Sequence, residues 1–133
     1  MNDSNRNGEG TLIVQVSTAD RALPIADASV IVSKTDEEGE TLVKIMRTDK
    51  SGRTEKLLLP APPASNSQSP GKGDRYSQYN IRTDYPGYYA TENLGVPIFD
   101  GQTSIQPIEL IPLPEGVESG KRVTVIETEP DNL

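Results

Sequence analysis

Hydrophobic and polar positions alternate over short runs along most of this chain, and no stretch carries the 3.6-residue apolar stripe of a helix. Leu12, Val14 and Val16 face one way and Ile13, Gln15 and Ser17 the other, which predicts a first strand over 11–17. Ala28, Val30 and Val32 mark a second core-facing strand, reached by a turn over 19–25 that uses Pro24. Residues 42–48 and 54–59 alternate on either side of Asp49-Lys50-Ser51-Gly52-Arg53. An Asp that accepts backbone bonds and a Gly free to take positive φ suit a short bulged loop, so 42–59 reads as a β-hairpin ended by Pro60. The charged run 36–40 leads into it. Further strands are expected over 76–83, 88–94 and 104–111, with Pro86-Gly87 as a turn and Val96-Pro97-Ile98-Phe99 crossing between the last two. A last strand-like hexad, 122–127, either closes a sheet edge or pairs with another molecule.

The bulk numbers narrow this picture. At 133 residues the chain is expected to hold one domain. Only 33% of residues are hydrophobic and the mean hydropathy is -0.54, so the core must be lean. Eleven Gly and eleven Pro favour many turns. The expected layout is a flexible segment over 1–9, a β-sandwich over 10–112 with a long Pro/Ser/Gly loop at 60–75, and an acidic tail over 113–133 with an extra strand at 121–127. The net charge of -7, with thirteen scattered basic residues, argues against a nucleic-acid partner. No apolar run approaches the ~20 residues of a membrane span, and the first residues lack the layout of a signal peptide. Membrane insertion is therefore not expected, no export address is visible, and the compartment stays open.

Four phrases carry a family resemblance: Leu23-Pro24-Ile25-Ala26-Asp27-Ala28-Ser29-Val30, Thr48-Asp49-x-x-Gly52, Leu57-x-Leu59-Pro60, and Tyr79-x-Ile81 leading to Gly87-Tyr88. They resemble the carboxypeptidase regulatory-like, or transthyretin-like (prealbumin-type), β-sandwich. One departure is Asp27, where that family commonly has Gly. The resemblance implies a seven- or eight-stranded antiparallel Greek-key sandwich. Within the family, the Pro-rich loop, the Tyr76-Ser77-x-Tyr79 lead-in and Ile98-Phe99 are similar to the non-catalytic N-terminal region of spore cortex-lytic germination enzymes, which implies a spore or cell-wall setting.

Candidate chemistry is thin. Histidine and cysteine are both absent, which excludes Ser-His-Asp and Cys-His triads, thiolate nucleophiles and histidine-ligated metals within these residues. The enzymes that resemble this sandwich, hydroxyisourate hydrolases and intradiol dioxygenases, rely on histidines. Asp49 to Gly52 lacks the remaining ligands of a calcium loop and reads as a turn. Asp36, Glu37 and Glu38 could gather a cation with Asp74 or Asp84, but nothing in their spacing fixes it. A Lys-Asn isopeptide cross-link is disfavoured, since 11–17 has no Lys and 104–111 no Asn.

All five tyrosines and the single Phe fall within 76–99. Tyr79 and Tyr88 sit where core or corner tyrosines are expected. Tyr85 and Tyr89, which flank the Pro-Gly turn, and Tyr76 are the candidates for an exposed contact, since aromatic rings stack on sugar faces and dominate interfaces. The resulting expectation is a chain that is not an enzyme and uses no cofactor or metal. It would act as an interaction or structural module through strand-edge and tail pairing, with Val123 and Val125 supplying contacts. Its partner would be another protein or a second copy. The alternatives are a carbohydrate-binding module for peptidoglycan using Tyr76, Tyr85 and Tyr89, or a regulator of a separate enzyme.

Overall fold

The computed structural model describes residues 8–64, 76–114 and 123–127. Its strands are β1 (Gly8–Thr18), β2 (Leu23–Pro24), β3 (Ser29–Asp36), β4 (Gly39–Arg47), β5 (Leu57–Ala61), β6 (Ser77–Asp84), β7 (Ala90–Ile98), β8 (Thr103–Glu109) and β9 (Val123–Glu127). In the first sheet β1 is central: β8 runs parallel along one side, while β5 and β2 share the other. The second sheet has the order β4-β3-β6-β7-β9. The two sheets pack as an all-β sandwich. Leu12, Val14 and Val16 of β1 meet Val30 and Val32 of β3 and Ile81 of β6 in a single core, each almost fully buried.

Two pairings depart from an all-antiparallel sandwich: β1 with β8 and β7 with β9 are parallel, and nine strands are present among the described residues. The cause is that the chain changes sheet between consecutive strands. After β7 it bends tightly against the start of β1, where a Cβ on Gly10 would lie 2.4 Å from the Phe99 carbonyl oxygen. Gly101 N–H donates to Glu9 O and Thr11 N–H to Gln102 O, so β8 starts beside β1 and runs in its direction.

The expected hairpin over 42–59 does not form. β4 pairs with β3 in the second sheet and β5 with β1 in the first, so the segment between them crosses the sandwich. The turn chemistry is nevertheless as expected: Asp49 Oδ1 accepts from Ser51 N–H (2.8 Å) and Arg53 N–H (3.1 Å), and Gly52 sits at φ 78. The hairpin lies earlier, joining β3 to β4 through Glu37 and Glu38, since Asp36 pairs with Gly39. Pro60 lies inside β5 rather than ending it; among the described residues β5 pairs with β1 alone, and the missing N–H falls on its other edge. Val96 to Ile98 likewise belong to β7, with Pro97 opposite Gln78.

Threonines fasten the crossing segment. Thr48 Oγ1 accepts from Ala28 N–H (2.8 Å) and donates to Ile25 O (2.7 Å), and Thr54 Oγ1 accepts from Val14 N–H (3.0 Å). Asp27 takes φ 62, a left-handed conformation that glycine adopts freely and Asp tolerates. The expectations for 1–7, 65–75, 115–122 and 128–133 lie outside the described residues.

Candidate functional site

The five tyrosines do not make one face. Tyr79 is buried in the core, donates its hydroxyl hydrogen to Pro60 O (2.7 Å), and lies under the Lys34 ammonium, 5.0 Å from the ring centre. Burial raises its hydroxyl pKa above 10.0. Tyr88 packs against the core as expected, but so does Tyr85, and the two rings meet at 5.8 Å across the turn that Pro86-Gly87 makes. Tyr76 pairs instead with Phe99 at 5.5 Å. Tyr76 precedes β6 and Tyr85 follows it; nine residues of extended chain separate them by about 30 Å. Tyr89 is half-buried and its N–H donates to Ile111 O (2.9 Å). A sugar platform built jointly from Tyr76, Tyr85 and Tyr89 is therefore not assembled.

The acidic residues do not converge either. Asp84 stands opposite Ser29, whereas Asp36 ends the same strand as Ser29 seven residues later, about 23 Å away. Asp74 lies outside the described residues. Among the described residues no group of three metal-ligating side chains comes together.

What the fold does expose is the two margins of the second sheet. β4 pairs with β3 alone and β9 with β7 alone, so each leaves one edge of N–H and C=O groups without a strand partner among the described residues. Val123 stands opposite Ala90 and Val125 opposite Glu92, which places both register positions on the outer face; the Val125 side chain is 53% exposed. β4 is exposed at every position but Met46. Its pairing slips between Val32 and Ser33: Val32 faces Lys44 while Ser33 faces Leu42, leaving Val43 as an extra residue. The bulge changes the alternation. Leu42 and Ile45, three apart, both stand on the outer face opposite Ser33 and Ile31, and each is 57% exposed.

Next to this edge the outer face carries a shallow groove of about 250 Å³. Ile31, Leu42 and Leu94 line it with Asn80, Arg82 and Glu92. Arg82 and Glu92 form an ion pair at 3.4 Å, and Ser33 Oγ donates to Glu40 Oε2 at 2.6 Å. The Arg82–Glu92 pair balances itself, Glu40 adds a carboxylate held by Ser33 and Asn80, and the apolar rim continues onto β4. The bulge that creates the rim was not legible as such; its only trace in the sequence is the run Leu42-Val43-Lys44-Ile45, which breaks strict alternation.

Neither a protein-family model nor a curated protein sequence matches the chain. Solved structures do share its fold. The 3-chlorocatechol 1,2-dioxygenase of Rhodococcus opacus 1CP superposes with a TM-score of 0.53 at 15% identity, over 85% of this chain and 63% of that one. Catechol 1,2-dioxygenase from Pseudomonas arvilla C-1 gives 0.53 at 13% identity, over 93% and 60%. The mercury-inhibited catechol 1,2-dioxygenase of Acinetobacter sp. ADP1 gives 0.52 at 14% identity, over 94% and 60%. This chain thus spans less than two thirds of the length of each. At these identities the likeness is one of fold. It corrects the expectation of a chain that is not an enzyme, which leaned on the missing histidine and cysteine: the solved structures that share this fold are enzymes. The absence of histidine excludes only a histidine-ligated centre within these residues.

Proposed function

We propose that this chain is an interaction and assembly module, a transthyretin-like sandwich that recruits an extended partner strand to the margins of its second sheet. The observation that carries the reading is the condition of β4: an edge strand, exposed at all positions but one, with Leu42 and Ile45 turned to the same face. An open edge offers main-chain donors and acceptors to any extended segment, while side chains on alternate positions supply selectivity. β9 offers a second such edge at the opposite margin, flanked by exposed Val125 and Ile126. A regulatory role beside a separate enzyme is one form of this reading, with a strand of that enzyme as the partner.

Lysine placed at both Leu42 and Ile45, or at Val125, tests it. Each change leaves the core untouched and sets charge beside an edge. The expected outcome is loss of the chain's associations, in light scattering and in pull-down with defined partners, with an unchanged circular dichroism spectrum. Associations that survive in both variants overturn the edge reading.

A further inference from the structure

Resting on that edge reading, we propose that the occupant of β4 is the β4 strand of a second copy, paired antiparallel about a two-fold axis. The strand is complementary to its own reverse. With Val43 of one copy opposite Lys44 of the other, Leu42 falls opposite Ile45, Thr41 opposite Met46, and Glu40 opposite Arg47. The three pairs on each side of the centre share a face: Glu40, Leu42, Ile45 and Arg47 stand opposite the outer residues Thr35, Ser33, Ile31 and Ser29, while Thr41 and Met46 stand opposite Lys34 and Val30. The two-fold repeats each contact. Two Leu-Ile pairs flank the centre and two Glu-Arg pairs close the ends.

The bulge makes this register possible. In a regular strand, residues 42 and 45 point to opposite faces, and a two-fold normal to the sheet could not set one beside the other. The extra residue at Val43 restores the parity. Only this register lays bulge against bulge; a slip by one residue sets an outer side chain of one copy against an inner one of the other. Bulges and edge lysines also serve to blunt an edge. A bulge with that role alone has no need to return two apolar side chains to one face or to separate opposite charges symmetrically about itself. Within one chain Arg47 reaches Asp27 at 3.5 Å, but both side chains are largely exposed and the guanidinium keeps further donors for a second carboxylate.

Cysteine cross-linking reads the register directly, because the chain has no thiol of its own. Leu42→Cys and Ile45→Cys proteins are oxidised separately and as a mixture. In the proposed dimer the two positions face each other at disulfide distance, while 42 to 42 and 45 to 45 are offset by about 10 Å. The mixture should cross-link at least tenfold faster than either protein alone, and sedimentation of the unmodified chain should show a monomer–dimer equilibrium across a series reaching high micromolar concentration. A second pair of variants guards against a folding defect. At about 0.1 M ionic strength, where repulsion between the net charges is largely screened, Glu40→Arg should weaken dimerisation about tenfold, two cross-strand charge pairs being reversed at once, and adding Arg47→Glu should restore it. Equal cross-linking in all three samples, or no rescue by the double exchange, overturns the register. A chain that stays monomeric overturns the second copy, and the edge reading is then decided by the lysine variants; should those change nothing, it falls as well.

Discussion

A methyl group on Gly52 would sit 2.4 Å from the Val16 carbonyl oxygen, on a residue already at φ 78, so this position refuses a side chain twice over. Gly52→Ala should lower stability by about 3 kcal/mol, left-handed strain and a backbone clash acting together, as measured by urea denaturation. Asp49 caps the same turn with two N–H bonds to one oxygen. Tyr79 gives a second prediction. Its hydroxyl pKa is raised by burial above 10.0, so the folded chain resists ionisation more than the unfolded chain does. The associated stability is complete below about pH 10 and declines as pH rises from there through the raised value. Tyr79→Phe should cost about 1 kcal/mol at neutral pH, for the lost bond to Pro60 O, and should flatten the alkaline decline. Denaturation midpoints taken at rising pH on both proteins check this.

At the level of elements, alternation placed β1, β3 and β6 and chose their inward residues, because a period of two translates directly into one buried face. It did not say which strand each would pair with. Residues 42–59 contain two strands and a well-formed turn, yet the turn passes from one sheet to the other; a five-residue loop with Asp and Gly serves a hairpin and a sheet crossing equally well. What decides is non-local, the clamp of Thr48 on the backbone of Ile25 and Ala28, and pairing of β5 with a strand almost fifty residues earlier. The tyrosines part company for a related reason: closeness in sequence along an extended strand means distance in space. β9 has two described side chains, Val125 and Ile126, and both are exposed. Ending the chain at Pro114 should therefore lower stability by no more than about 2 kcal/mol, the worth of two poorly buried side chains and one edge pairing. A larger loss in denaturant titration would make β9 part of the folding unit and not an attached margin.

For the whole molecule, the decisive quantity is charge. Each copy carries -7, and two compact domains of this length in edge contact have centres about 30 Å apart. Coulomb repulsion between such copies is about 2.5 kcal/mol where the screening length is near 30 Å, and about 0.3 kcal/mol where it is near 10 Å. The two Glu40–Arg47 pairs act in the other direction, weakening with salt, but exposed pairs of this kind contribute roughly 0.2–1 kcal/mol each and lose only part of that. Over this salt range the change in repulsion therefore outweighs the change in charge pairing. Raising ionic strength from about 0.01 M to 0.1 M should tighten dimerisation roughly ten- to thirtyfold, by sedimentation equilibrium. An interface held mainly by charge pairing would loosen over the same range. The sign of the salt dependence thus separates apolar and main-chain pairing along β4 from electrostatic attraction.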